Sequence, residues 1–303
     1  MTRKLALNPK DVLGPDVELD QHDEEAVIAR AELLKRVRDV EALLPTLADR
    51  VDAELLLAAP KLRVVANHAV GYDNIDVPAC TARGVWVTNT PGVLTDCTAD
   101  LTWTLILSLV RRVREGERMM REGKFAGWAP TMLLGRELRG ATLGLIGHGR
   151  IAGAVEERAK AFGMKVLYSS RSSGLKLHEL LEQSDIVSIH CPLSAETRHL
   201  IGARELGLMR RGAHLINTAR GPIVDEAALV AALESGHLGG AGLDVFEEEP
   251  RVHQGLVSRD DVVLLPHLGS ATVETRKAMA RIALEQISLV LSGKRPVTPV
   301  SSL

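Results

Sequence analysis

The sequence predicts an α/β protein built on parallel sheets, and three observations carry that prediction. Short apolar runs of strand length alternate along the chain with longer stretches of helical spacing. The apolar runs are nearly continuous, as in strands covered on both faces. No internal repeat or low-complexity tract interrupts the pattern, and 303 residues suffice for two domains.

The elements follow in order. Before residue 16, MTRKLALNPKDVLG offers barely one strand and a turn. LRVVA at 62–66 and VWVTN at 85–89 are the first clear strands. Thr90, Pro91 and Gly92 then break the pattern. A helix over 98–112 follows, apolar almost throughout, with Asp96 and Thr98 as candidate caps. Further strands are read at 142–147 (TLGLIG), 164–168 (MKVLY), 185–190 (DIVSIH), 213–217 (AHLIN) and 262–266 (VVLLP). Helices are read at 151–162, 175–183, 225–235 and 272–291, the last capped by Thr272 or Ser270. The expected division places 1–92 with 273–303 in one domain and 93–272 in the other. Two crossings of the chain would set a cleft between the two bodies.

Composition excludes several classes. Hydrophobic residues at 46% and charged residues at 25% exclude global disorder. Lys plus Arg is 37 against 39 for Asp plus Glu, a net charge of −2 that argues against nucleic-acid and membrane partners. No apolar run spans a bilayer, and the first residues lack the apolar core of a signal peptide. Cys80, Cys97 and Cys191 are too few and scattered for a disulfide framework or a zinc knuckle, so a reducing, cytoplasmic setting and no metal are expected. Aromatics at 3% give no platform for stacking bases.

The sharpest motif is Gly147-His148-Gly149-Arg150-Ile151-Ala152, which follows a predicted strand and opens a predicted helix. That is the context of a dinucleotide fingerprint. Gly147 allows the tight turn, Gly149 the close approach of a pyrophosphate, and Ala152 the packing of helix on strand. The helix N-terminus then presents free N–H groups to the phosphates. A glycine turn that binds nothing is the competing reading. The next strand ends Tyr168-Ser169-Ser170-Arg171, with no carboxylate for a ribose hydroxyl. Ser170 lies near the ~20-residue spacing expected after the first glycine. Ser170 and Arg171 suit a 2′-phosphate, so NADPH is expected over NADH, with NAD as an alternative. A solvated arginine at a loop start competes with that reading.

Three later segments make chemical sense together: Asn217-Thr218-Ala219-Arg220-Gly221, the stretch from Gly242 to Pro250 (GLDVFEEEP), and Leu265-Pro266-His267-Leu268-Gly269-Ser270. Open parallel sheets place ligands at strand carboxyl ends, where these segments are expected. An arginine there forks onto a substrate carboxylate, a histidine passes a proton to a carbonyl oxygen, and a carboxylate orients the imidazole and stabilises its cation. Taken singly, Arg220 also reads as a surface charge, Glu247–Glu249 as an acidic turn and His267 as a core histidine.

The chain resembles the D-isomer-specific 2-hydroxyacid dehydrogenases, and most closely their glyoxylate/hydroxypyruvate reductase branch. The motifs are VANHAVGYDNIDV, VTNTPGVLTDCTAD, GWAPTMLLGRELRGATLGLIGHGRIA, SIHCPLSAET, INTARGPIVDEAAL, AGLDVFEEEP and LPHLGSAT. The resemblance implies two Rossmann-like or flavodoxin-like domains with parallel sheets, the cofactor domain inserted into the substrate domain. It implies Arg220, Glu249 and His267 as the catalytic set, and Val70, Gly71 and Arg220 as substrate contacts. On the cofactor side it implies Thr98, Gly147, Gly149, Arg150, Ile151, Ser170, Arg171, Pro192, Thr197, Thr218, Asp244, His267 and Gly269. Within that set Asp244 orients the nicotinamide carboxamide and Pro192 lines the adenine pocket. It further implies a small 2-keto or 2-hydroxy acid as substrate and a homodimer through the cofactor domain, with the segment around Trp128 reaching toward the partner. A different 2-keto acid, phosphite, or a dinucleotide-sensing interaction protein akin to the C-terminal-binding corepressors are the alternatives. The chain departs from the family in two places. Its start is short, and from Ser170 to Asp185 there is room for one helix where the family fits helix, strand and helix. One edge βα unit of the cofactor domain is therefore expected to be reduced or lost.

Overall fold

Apolar runs on each strand of this chain have two destinations, one per face. A computed structural model describes residues 1–24 and 26–303, which divide into two units: Met1–Leu94 with Ala271–Leu303, and Thr95–Ser270. In the first, helices α1 (Lys10–Leu13) and α2 (Arg30–Arg36) precede β1 (Ala42–Leu43), α3 (Ala53–Ala58), β2 (Val64–Ala66), α4 (Val77–Ala82) and β3 (Trp86–Thr88). The three strands pair in parallel in the order β1-β2-β3. Val65 and Val87 pack with Leu33, Leu55, Leu56 and Cys80 on one face. Val64, Ala66 and Leu44 pack on the other with Ala283, Leu284, Ile287 and Val290 of the chain's last helix, Val273–Leu291. Thr272 caps that helix by accepting from the Thr275 N–H at 3.2 Å, and Arg63 donates to the carbonyl of Val290 at its far end (2.7 Å).

One expectation needs correction here. The opening residues form the short helix α1 and turns rather than a strand: Pro9 already has helical backbone angles, and the Leu13 and Gly14 N–H groups bond back to Pro9 and Lys10. Strand β1 lies later, in a two-residue apolar pair too short to show periodicity.

The second unit begins with α5 (Thr95–Val110) and α6 (Val113–Arg121) and continues through β4 (Thr142–Ile146), α7 (Arg150–Ala161), β5 (Lys165–Ser169), α8 (Leu177–Gln183), β6 (Ile186–Ile189), α9 (Ala203–Leu208), β7 (His214–Asn217), α10 (Glu226–Glu234), β8 (Gly240–Leu243), α11 (Gln254–Val257) and β9 (Val262–Leu264). The six strands are parallel in the order β5-β4-β6-β7-β8-β9, so the strand order reverses between β4 and β6. Leu143, Leu145, Ile186 and Ile216 pack with α5 and α7 on one face. Val187, Ile189, Leu215 and Leu243 pack with α8, α9 and α10 on the other. Helix α5 starts at Thr95, so Asp96 and Thr98 lie in its first turn and do not cap it. Strand β8 is not among the runs read from sequence. Its residues are Gly-Ala-Gly-Leu, and a Cβ on Gly242 would sit 3.0 Å from Leu105 of α5. Between β5 and β6 there is one helix, and β5 is the sheet's edge, as the short 170–185 segment requires. The reading of MKVLY and VVLLP as covered on both faces is corrected by the same fact: β5 and β9 are the outer strands and are only partly buried.

Each unit buries a neutral histidine. His68 is 8% and His214 is 7% exposed, and each leaves Nδ1 without a hydrogen-bond partner. Burial, aided by the charges of Arg276 and Arg136 respectively, pushes both down to about 4. The unfolded chain takes up protons on these groups near 6.5, the folded chain only near 4. Their contribution is therefore complete above 6.5 and is lost as pH falls toward 4, by a few kcal/mol for each ring at ~1.4 kcal/mol per unit. Thermal midpoints recorded from pH 7.5 to 4.5 should fall steeply below 6.5. A flat profile would contradict the burial of these rings.

Candidate active site

In a parallel sheet every strand ends at the same edge, and here that edge carries the chemistry. Asn217 ends β7 and is 1% exposed. Its Oδ1 accepts from the Ala219 N–H (3.0 Å) and its Nδ2 donates to the Arg220 carbonyl (2.9 Å), which pins the turn from which Arg220 leaves. Arg220 is half-buried, with extended backbone and Nη1 donating to the Ala219 carbonyl at 2.7 Å. Gly221 follows because nothing larger fits: a Cβ there would lie 1.9 Å from the carbonyl carbon of Phe246. The arginine segment and the 246–249 loop thus touch backbone to backbone.

Strand β8 delivers Asp244, which is fully buried. Its carbonyl accepts from the His267 N–H (2.9 Å), and its carboxylate from the N–H groups of Leu268 (2.6 Å) and Gly269 (2.8 Å). His267 has φ +57°, a left-handed backbone that side-chain residues rarely adopt, and these three bonds from one residue hold it there. Burial pushes the Asp244 carboxyl up; the two N–H groups and His267 pull against it, and the net stays above the ordinary value.

Glu249 meets His267 side chain to side chain, Oε2 to Nδ1, at 3.0 Å, while its Oε1 accepts from the Phe246 N–H (3.1 Å). Burial raises the Glu249 carboxyl, but the His267 hydrogen bond and charge, the Phe246 N–H and the Arg220 charge outweigh it, and the net is lowered. An ionised carboxylate only accepts, so Nδ1 carries the proton and Nε2 is the nitrogen turned to other business. The His267 and Glu249 side chains are 31% and 39% exposed, open to a small molecule from solution.

The fingerprint is tight behind and open in front. A Cβ on Gly147 (φ +89°) would collide with the Cys191 N at 2.7 Å, and Ala152 is fully buried under the sheet. A Cβ on Gly149 would meet nothing within 4 Å. Gly149 ends the turn just before Arg150 and Ile151 open the twelve-residue helix α7. These residues fit a pyrophosphate laid on the helix N-terminus. Thr98 donates to the Gly269 carbonyl (2.9 Å), and Thr102 links Thr98 to the Thr218 hydroxyl (3.0 Å), so three segments named from sequence meet at the start of α5. Thr197 ties its own loop by donating to Pro192 (2.7 Å) and accepting from the Ser194 N–H (2.7 Å). Ser170 bonds to Ser173 at the tip after β5 (2.9 Å), and Arg171 is exposed beside the same 192–197 loop, where its charge adds to the Ser194 hydroxyl in lowering the Glu196 carboxyl. Val70 and Gly71 belong to the first unit. Asn89 and Asn67 hold their carbonyls, each at 2.8 Å. Burial pushes the Cys191 thiol up to about 11, so it is no nucleophile. Among the described residues no group of three or more His, Cys, Asp or Glu is placed to hold a metal ion, and no helix is long and apolar enough to cross a membrane. Sequence reasoning assigned no role to Asn217 or Thr102: a polar residue at a strand end or mid-helix reveals its bonds only once its neighbours are placed.

Comparison with known proteins gives the family and the fold. Residues 103–269 match the family model for the D-isomer specific 2-hydroxyacid dehydrogenase, NAD binding domain. The chain is 45% identical over an alignment of 316 positions to a glyoxylate reductase of Thermococcus onnurineus, covering 99% of this chain and 95% of the relative. It is similar in structure to the TT0316 protein of Thermus thermophilus, with a TM-score of 0.94, 46% identity, and 99% and 98% of the two chains covered. It is also similar to an NADPH-dependent glyoxylate/hydroxypyruvate reductase of Sinorhizobium meliloti solved with NADP and malonate, with a TM-score of 0.81, 39% identity, and 88% and 85% of the two chains covered.

Proposed function

The chain belongs to the D-isomer specific 2-hydroxyacid dehydrogenase family, and from that premise we propose that it reduces glyoxylate or hydroxypyruvate to the D-2-hydroxy acid, with NADPH as the preferred reductant. A bound reduced nicotinamide supplies the hydride. The remaining work falls to side chains of this protein. Arg220 forks onto the substrate carboxylate and polarises the adjacent carbonyl. His267 gives the proton on Nε2 to the carbonyl oxygen, and Glu249 steadies the imidazolium through Nδ1. Asp244, Thr98, Thr218 and Gly269 shape the nicotinamide end, and Pro192 and Thr197 the adenine end. One observation carries the reading: the 3.0 Å contact of His267 with Glu249, a carboxylate that also feels the Arg220 charge. A panel of 2-keto acids run against both reduced nicotinamides tests it. Fast turnover of glyoxylate or hydroxypyruvate is expected, and turnover confined to bulky substrates would contradict it.

The preference for NADPH rests on Arg171, the serines around it, and the absence of a carboxylate at the end of β5. A charge-assisted pair is worth ~1.5–3 kcal/mol, so Arg171→Ala should weaken NADPH about 10- to 100-fold while leaving NADH nearly unchanged. Equal losses on both, measured by fluorescence titration, would end the 2′-phosphate argument. A homodimer through the cofactor unit is part of the same proposal. It draws support from Met120, Phe125, Trp128 and Leu134, which are 62%, 45%, 80% and 64% exposed.

A further inference from the structure

The loop carrying Glu249 is tied to the segment carrying Arg220 by two glutamates that serve each other's backbone. Glu226 opens α10 and is only 6% exposed, and its Oε1 accepts from the Glu247 N–H at 2.7 Å. Glu247 answers with Oε2 on the Glu226 N–H at 3.3 Å and turns Oε1 to His199 Nε2 in a short contact. The His199 segment closes the ring: its N–H donates to the Pro222 carbonyl (2.8 Å), and the Ile201 N–H to the Ile223 carbonyl (3.1 Å). His199 takes a left-handed backbone, φ +50°, to do so.

Such an arrangement is costly as mere scaffolding. A carboxylate buried beside another carboxylate is disfavoured, and an apolar side chain at the first turn of a helix would avoid the penalty. Burial indeed pushes the Glu226 carboxyl up, against the N–H groups of Glu247 and His253 that pull it down. What the pair gains is spacing. Arg220 directly precedes Gly221, which lies against the Phe246 carbonyl, and Glu249 follows two residues after Glu247. We infer that Glu226 and Glu247, braced by His199, are positioning residues that fix the Arg220 segment against the Glu249 loop. The inference rests on the function proposed above, because the spacing matters only if Arg220 and the Glu249–His267 pair act on one substrate.

The test compares Glu226→Ala, Glu226→Gln and Glu247→Ala in the full-length enzyme. Glutamine keeps a carbonyl oxygen for the Glu247 N–H. A misplacement of ~1 Å costs about 10²-fold in rate, so Glu226→Ala should lower kcat by about that factor while the dinucleotide Kd stays within about twofold. Glu226→Gln should recover kcat to within about fivefold of the parent. Amides 246–249 should exchange with deuterium faster in Glu226→Ala and not in Glu226→Gln. If Glu226→Ala does not fold, Glu247→Ala, which removes bonds on the more open side, should show the same split with about a tenfold loss. Unchanged kcat in either alanine variant overturns the inference, as does a glutamine variant as impaired as the alanine one. A parent enzyme that turns over no 2-keto acid defeats the proposed function instead. The clamp is then judged by exchange alone: faster exchange confined to 246–249 upholds it, and unchanged protection overturns it.

Discussion

Replacing His267 by alanine is expected to lower kcat by about 10³-fold, within the range general acid catalysis supplies. The variant loses the proposed proton donor, an imidazole that is both held by the Glu249 carboxylate and open to solution. Its dinucleotide affinity should change little, because the fingerprint turn is fixed by Gly147 against Cys191 and by the buried Ala152. The backbone at 267 is also held independently of the imidazole, by the Asp244 carbonyl and carboxylate. Single-turnover absorbance at saturating dinucleotide separates the two effects. A fall below tenfold would take the proton-transfer role away from this residue.

The second large effect belongs to Arg220→Lys. The charge survives, but a lysine cannot present two parallel N–H groups to a carboxylate and still reach the neighbouring carbonyl. Losing one partner of a buried, charge-assisted contact costs ~2–5 kcal/mol, or about 30- to 4000-fold in kcat/KM. If the guanidinium has the proposed double role of binding the acid and polarising its carbonyl, the loss is shared between KM and kcat. Addition of guanidinium ion should restore part of the activity in an alanine variant. A lysine variant with near-parent kcat/KM would show that a point charge is enough.

The parts of this site that could be read in the sequence are those whose chemistry is written locally. A turn that must take positive φ against a neighbouring backbone needs Gly147, and that glycine stands in a six-residue motif between strand and helix. Arg220 and His267 were legible because each follows an apolar run, and Glu249 because a carboxylate completes a set of side chains that suits one reaction. Strand β8 was hidden because its packing against α5 demands glycine where strands usually show β-branched residues. The Glu226–Glu247 pair was hidden for a different reason. Glu226 sits after the cap Asp225 in an apolar helix and looks like an ordinary acidic first-turn residue. Only the fold shows that it is buried and that its bond reaches back from residue 247. The β1 pair and the α1 helix escaped because elements of two to four residues carry no period.

The order in which the chain leaves the ribosome gives the last helix a special status. Val64, Ala66 and Leu44 are covered on one face by Ala283, Leu284, Ile287 and Val290, which are translated about 200 residues later. At ~5–20 residues per second this face of the nascent sheet stays wet for about 10–40 s. All six strands of the other unit emerge within that interval, so the inserted unit can mature while its host is still half-built. A chain truncated before residue 273 would therefore carry all six strands of the inserted unit on an unfinished, aggregation-prone stub.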